Sequence, residues 1–211
     1  MEIIPAILTN NPSELADLVK IAEGKSARIQ IDIIDGNFAD NKTIDPSILS
    51  TIDTDLLLDF HLMTKDPIDW VEKAATGQAD RIIGQIEKMS NQLEFIAKVE
   101  GTGSKVGLAL DLATPIGSIT PQTLTSIDVI LVMSVPAGFA GQKFDTKVFD
   151  KLEGLYKLRE KGNFKFRICV DGGVTPSVVK DLVDLHVDEI VVGKRLFEGD
   201  LEENIKKFIL P

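Results

Sequence analysis

A closed (β/α)8 barrel is the fold this sequence predicts, as one domain over residues 1–211. Two observations carry that expectation. Eight short, apolar, β-rich runs alternate with segments of helical periodicity along the whole chain, which is the pattern of parallel βαβ units. Three of those runs end in a polar side chain: Asp32 within residues 29–36, His61 within 56–63 and Asp171 within 168–173. Parallel barrels present catalytic groups at the carboxyl ends of their strands. An open, doubly wound sheet is the main competitor, since alternation alone does not establish closure.

The elements follow in order. A first strand at 2–8 leads to Asn11-Pro12-Ser13-Glu14, where Asn11 can cap and Pro12 can start a helix over 12–23. A strand at 27–34 precedes a helical segment at 46–51, and a strand at 55–62 precedes one at 66–75. Asp66-Pro67 repeats the capping device there, and Trp70 reads as a helix residue packing on the barrel. The fourth unit pairs 79–84 with 89–100, and the fifth pairs 104–110 with a short piece near 121–125. The sixth strand, 127–133, enters a long glycine-bearing loop before a helix at 145–161. The seventh strand, 165–171, turns at Gly172-Gly173 into a helix at 175–185, where Thr175-Pro176 is a third capping pair. The eighth unit is 188–192 with 200–209.

Composition narrows the function classes. Hydrophobic residues make up 44% of the 211 positions, against both disorder and a membrane span, and no apolar run exceeds strand length. Met1-Glu2-Ile3-Ile4-Pro5 lacks the basic start of a secretory leader and reads as strand. A net charge of −10 argues against nucleic-acid and anionic-membrane partners, yet leaves room for a small phosphorylated metabolite at a local positive site. The single cysteine, Cys169, rules out an internal disulfide and fits a reducing, cytoplasmic location. It lies two residues before Asp171, so strand alternation points both to one side; a buried core thiol is the expectation.

Five segments carry chemistry. In Gln30-Ile31-Asp32-Ile33-Ile34, alternation sends Ile31 and Ile33 under the helices and turns Gln30 and Asp32 into the barrel. A carboxylate there is costly unless paired or metal-bound. An alternative is that Asp32 only ties off the strand end in a hydrogen-bonded network. His61 is one of two histidines; a lone histidine in an apolar strand is more often a hydrogen-bonded core residue, and its strand-end position, parallel to Asp32 and Asp171, raises the ligand reading, whereas His186 reads as structural or solvent-facing. Gly172-Gly173 permits a tight turn and a close approach of ligand to backbone N–H groups. Gly193-Lys194-Arg195 follows the last strand, in the region where phosphate-binding barrels hold the anion. The loop from Met133 to Phe144, with Gly138-Phe139-Ala140-Gly141-Gln142 at its centre, has the make-up of a cover over a site.

Taken together these segments resemble the ribulose-phosphate 3-epimerase family over nearly the whole chain. The resemblance rests on Pro5-Ala6-Ile7-Leu8, Asp32-Ile33-Ile34-Asp35-Gly36-Asn37-Phe38, His61-Leu62-Met63, Lys105-Val106-Gly107-Leu108-Ala109, Gly138 to Gln142, Asp171-Gly172-Gly173 and Val192-Gly193. It implies a TIM barrel of the ribulose-phosphate-binding type that interconverts D-ribulose 5-phosphate and D-xylulose 5-phosphate; similar members act on allulose 6-phosphate. It further implies Asp32 and Asp171 as an acid/base pair and a divalent metal (Zn, Fe, Mn or Co) on Asp32, His61 and Asp171, with Gln30 as a further candidate ligand. Met63 and Met133 would line the site. The phosphate would lie against Gly138, Phe139, Ala140, Gly141, Gly172, Gly173, Gly193 and Lys194. A homo-oligomer is compatible with the resemblance.

The chain also departs from the family pattern. Gln30 stands where the family has a histidine ligand, Ala6 where it has serine, Gln85 where a histidine usually precedes Glu87, and Lys194 where it has serine. Two competing readings therefore accompany the epimerase. One is another sugar-phosphate isomerase, lyase or decarboxylase. The related hexulose-phosphate synthase and decarboxylase group carries Asp-x-Lys-x-x-Asp, and Ile34 falls where that lysine would be. The other is a noncatalytic sugar-phosphate binder.

Overall fold

Eight parallel strands close on themselves in sequence order, the first pairing with both the second and the eighth. The computed structural model describes residues 1–209. The strands are β1 (Glu2–Ile7), β2 (Arg28–Ile34), β3 (Leu57–Met63), β4 (Arg81–Gln85), β5 (Lys105–Leu110), β6 (Val129–Met133), β7 (Arg167–Asp171) and β8 (Glu189–Val192). Helices α1 (Pro12–Ala22), α2 (Val71–Thr76), α3 (Gln92–Thr102), α4 (Val148–Gly162), α5 (Val179–Asp184) and α6 (Leu201–Lys206) lie between them. The barrel, rather than the open sheet, is the outcome.

Strands buried on both faces explain the unbroken apolar runs. Outward residues such as Ile29, Ile31, Ile33, Phe60 and Leu62 join Leu15 and Val19 of α1 and Phe95 and Val99 of α3 in one cluster. Inward residues such as Ile4, Ile34, Ile83, Leu131, Cys169 and Val191 fill the lumen as a second. Each fully buried Leu, Ile or Phe stabilises the fold by about 1.5–3 kcal/mol. Trp70 packs on the outer cluster, and Lys73 lies 4.4 Å above its ring. Cys169 is buried in the lumen, and burial pushes its thiol well up, so it stays a protonated core residue. His186 stacks on Tyr156 with ring centroids 3.8 Å apart.

Local signals set most boundaries. Asn11 accepts from the Ser13 and Glu14 amides at 2.9 and 3.4 Å, and Asp66 accepts from the Ile68 amide at 3.2 Å. The third capping pair behaves differently. Thr175 makes no cap hydrogen bond, because its hydroxyl pairs with Ser177 at 2.7 Å. The segments expected at 46–51 and 121–125 are 3-10 turns, Pro46–Thr51 and Pro121–Thr123.

At the amino ends of the strands the lumen holds a buried ionic layer. Asp59 of β3 accepts from both Arg28 of β2 and Arg81 of β4. Arg81 also grips Glu189 of β8 with two bonds, at 3.1 and 2.8 Å, and Arg167 of β7 reaches Glu189 at 2.5 Å. This layer fastens five strands at the end opposite the candidate site.

Candidate active site

The β2–β3 register sets Asp32 directly beside His61, and the β6–β7 register sets Asp171 beside Met133. Alternation turns all four side chains into the carboxyl-end mouth of the barrel. His61 Nδ1 lies 3.5 Å from Asp32 Oδ1 and 3.8 Å from Asp171 Oδ2. The two carboxylates come from strands remote in sequence, and one side chain joins them. Gln30 Nε2 donates to Asp32 Oδ1 at 2.9 Å and to Asp171 Oδ2 at 2.8 Å.

Backbone anchors hold this arrangement. The Thr43 hydroxyl donates to the Asp32 carbonyl and accepts from the Ile34 amide, both at 2.8 Å. On the other side the Ser134 amide donates to the Asp171 carbonyl at 2.8 Å, and the Ser134 hydroxyl donates to the Gly172 carbonyl. Burial pushes the Asp171 carboxyl up to about 7, and the neighbouring Asp32 pushes the same way, against His61 and Gln30.

The residues present fit a divalent cation. Both His61 nitrogens are buried without a hydrogen-bond partner, a costly state for an imidazole unless something else engages it. Asp32, His61 and Asp171 bring one ligand atom each to within 4.8 Å of one another. Two carboxylate oxygens and an imidazole suit a first-row divalent metal.

Above this trio opens a cavity of about 600 Å³. Asp32, Met63, Met133, Asp171, Gly172, Gly173, Gly193, Lys194 and the loop residues Gly138, Phe139, Ala140 and Gly141 all line it. His61 and Gln30 are fully buried below. Gly172 and Gly173 have φ of +108° and +60°, and a Cβ on Gly173 would stand 2.4 Å from the Phe144 amide nitrogen. That close approach requires glycine. The cover loop leans on its neighbour: Asn41 Nδ2 donates to the Gly138 carbonyl at 2.9 Å, and a Cβ on Gly138 would meet Ala39 at 2.5 Å.

Two carboxylates of the mouth lie outside the set read from sequence. Glu14 and Glu198 line the cavity. Their loop and helix-start positions give no periodic signal. Gln85, at the end of β4, is fully buried and both its amide atoms lack a partner. Alternation from Arg81 and Ile83 would have placed it in the lumen.

Comparison with known proteins shows the family. A family model described as the ribulose-phosphate 3 epimerase family matches residues 2–197. A ribulose-phosphate 3-epimerase of Treponema pallidum is 30% identical over 206 residues, covering 96% of this chain and 94% of that protein. The chloroplastic ribulose-5-phosphate-3-epimerase of Arabidopsis thaliana is 32% identical over 208 residues, covering 96% of this chain and 74% of that protein. Among solved structures, 3-hexulose-6-phosphate synthase from Salmonella typhimurium superposes with a TM-score of 0.70 at 17% identity, covering 99% of this chain and 96% of that one. That likeness establishes the barrel alone.

Proposed function

The chain belongs to the ribulose-phosphate 3-epimerase family, and from that premise we propose that it inverts C3 of a phosphorylated ketose, interconverting D-ribulose 5-phosphate and D-xylulose 5-phosphate. The observation that carries the reading is the convergence of Asp32 and Asp171 from separate strands on one point.

Epimerisation needs one group to remove the C3 proton and another to return it from the opposite face. Asp32 and Asp171 are assigned these roles. Asp171, whose carboxyl burial raises to about 7, is assigned the acid in one direction and Asp32 the base. The roles exchange for the reverse reaction. A divalent cation held by Asp32, His61 and Asp171 would supply positive charge for the enediolate oxygens. Met63 and Met133 give the sugar an apolar wall, and the loop from Gly138 to Gly141 keeps water from the carbanionic intermediate. The phosphate is assigned to the backbone of Gly172, Gly173 and Gly193, with Lys194 adding charge at the rim. The lyase-type alternative loses support at Ile34, which is buried in the lumen and offers no cation.

Proton NMR of D-ribulose 5-phosphate in D2O with the purified protein tests this. The expected result is loss of the C3 proton signal as xylulose 5-phosphate appears, and suppression by chelator with recovery on adding Mn2+ or Zn2+. Absence of exchange under all conditions would leave a binder or another ketose phosphate.

A further inference from the structure

Among the described residues Gln30 is the one side chain hydrogen-bonded to both carboxylates, and it makes those bonds with the wrong atom for a metal ligand. Its Nε2 donates to Asp32 and Asp171 at 2.9 and 2.8 Å, while its Oε1 is buried without any donor. An amide nitrogen has no lone pair to give a cation, so in this orientation Gln30 occupies the gap between the carboxylates as a cation would. Turning the amide by half a rotation sets Oε1 against two carboxylate oxygens. That arrangement is repulsive unless a positive ion lies between them, and then it becomes favourable.

We propose that the Gln30 carboxamide is a two-position device answering to a divalent cation. Without the ion its N–H groups tie Asp32 to Asp171; with the ion Oε1 turns inward and joins the donor set. This inference rests on the metal-assisted reading above. The completed set is then three oxygens, from Asp32, Asp171 and Gln30, and one imidazole nitrogen from His61. An oxygen-rich set of this kind suits a harder ion such as Mn2+ or Mg2+ better than Zn2+. The amide must also give up two hydrogen bonds to charged acceptors before an ion enters, which lowers affinity for every ion alike.

The test needs no sugar. Side-chain amide resonances of 15N-labelled, chelator-stripped protein are recorded before and after saturation with Zn2+, the Gln30 pair being identified by its absence in Gln30→Met. The expected result is a Gln30 pair that is slow to exchange with solvent in the stripped protein and moves when the ion binds. In parallel, Gln30→His should bind Zn2+ at least tenfold more tightly than the natural chain, with a smaller gain for Mn2+, measured by competition with a chromophoric chelator. This second variant keeps the test decisive if Gln30→Met does not fold. A Gln30 pair that stays still while metal content shows the ion bound overturns the proposal. So does a Gln30→His variant no tighter for Zn2+, or failure of any divalent ion to bind. Ion-driven movement of Gln30 without C3 exchange would sink the epimerase reading and leave the device standing; metal-dependent exchange with an unmoved Gln30 would do the reverse.

Discussion

His61 stands beside Asp32 in the β2–β3 register with its Nδ1 3.5 Å from Asp32 Oδ1, and neither of its ring nitrogens has a hydrogen-bond partner. An imidazole held in that state is committed to the carboxylate pair. His61→Leu, which keeps the volume and removes the donor atoms, should lower affinity for Mn2+ and Zn2+ by at least about tenfold. Metal content after dialysis against a defined free-ion concentration checks it; unchanged content would remove His61 from the ligand set.

The two aspartates are expected to fail separately and alike. Asp32→Asn and Asp171→Asn should each reduce turnover by about 10²–10⁴-fold, the range for loss of a positioned acid or base. Because each removes one proton-transfer partner, both should slow interconversion in both directions. Single-turnover deuterium incorporation at C3 separates them: the variant that keeps the base in the tested direction retains some exchange. Full epimerase activity in either variant would end the assignment.

Asp171 sets a pH dependence on the stability of the ion-free protein. Its carboxyl is raised from the ordinary 3.8 to about 7. Below pH 4 it is protonated whether folded or not, and it contributes no difference. Between about pH 4 and 7 the unfolded chain releases this proton and the native chain holds it, so stability falls as pH rises. Thermal melts of chelator-treated protein should therefore drop across this window relative to Asp171→Asn, and added divalent ion should shrink the drop. Parallel curves for the two proteins would contradict it.

Asp59 belongs to stability rather than chemistry. It is fully buried and accepts from Arg28 and Arg81 at the amino end of the lumen. Asp59→Ala leaves two arginines facing each other without their shared anion, at a cost of about 3–5 kcal/mol. Urea unfolding should show that loss. The folded fraction at low temperature should keep its KM, since Asp59 touches neither carboxylate of the site.

The barrel was legible in the sequence because each strand carries an apolar outward row and is bounded by turn chemistry. Observed strand ends lie within two residues of those expected. Asn11 and Asp66 cap as their residue types predict, since such caps are decided within three residues of chain. Thr175 shows the limit: its hydroxyl had a second local partner in Ser177. Asp32, His61 and Asp171 could be read from strand-end positions alone. The Gln30 bridge could not, since one of its two bonds spans 141 residues and depends on barrel closure. The same holds for Arg81 and Glu189, 108 residues apart. Alternation showed which way such side chains point, and closure decided whom they meet.

The bond from Asn41 to the Gly138 carbonyl, with Ala39 pressed against that glycine, stitches the loops after β2 and β6 into one flap. That bond ties together stretches 97 residues apart in the chain, so neither loop can move away from the other without breaking it. The rim of the cavity on this side is therefore one joined piece, built from two loops that the chain visits nearly a hundred residues apart.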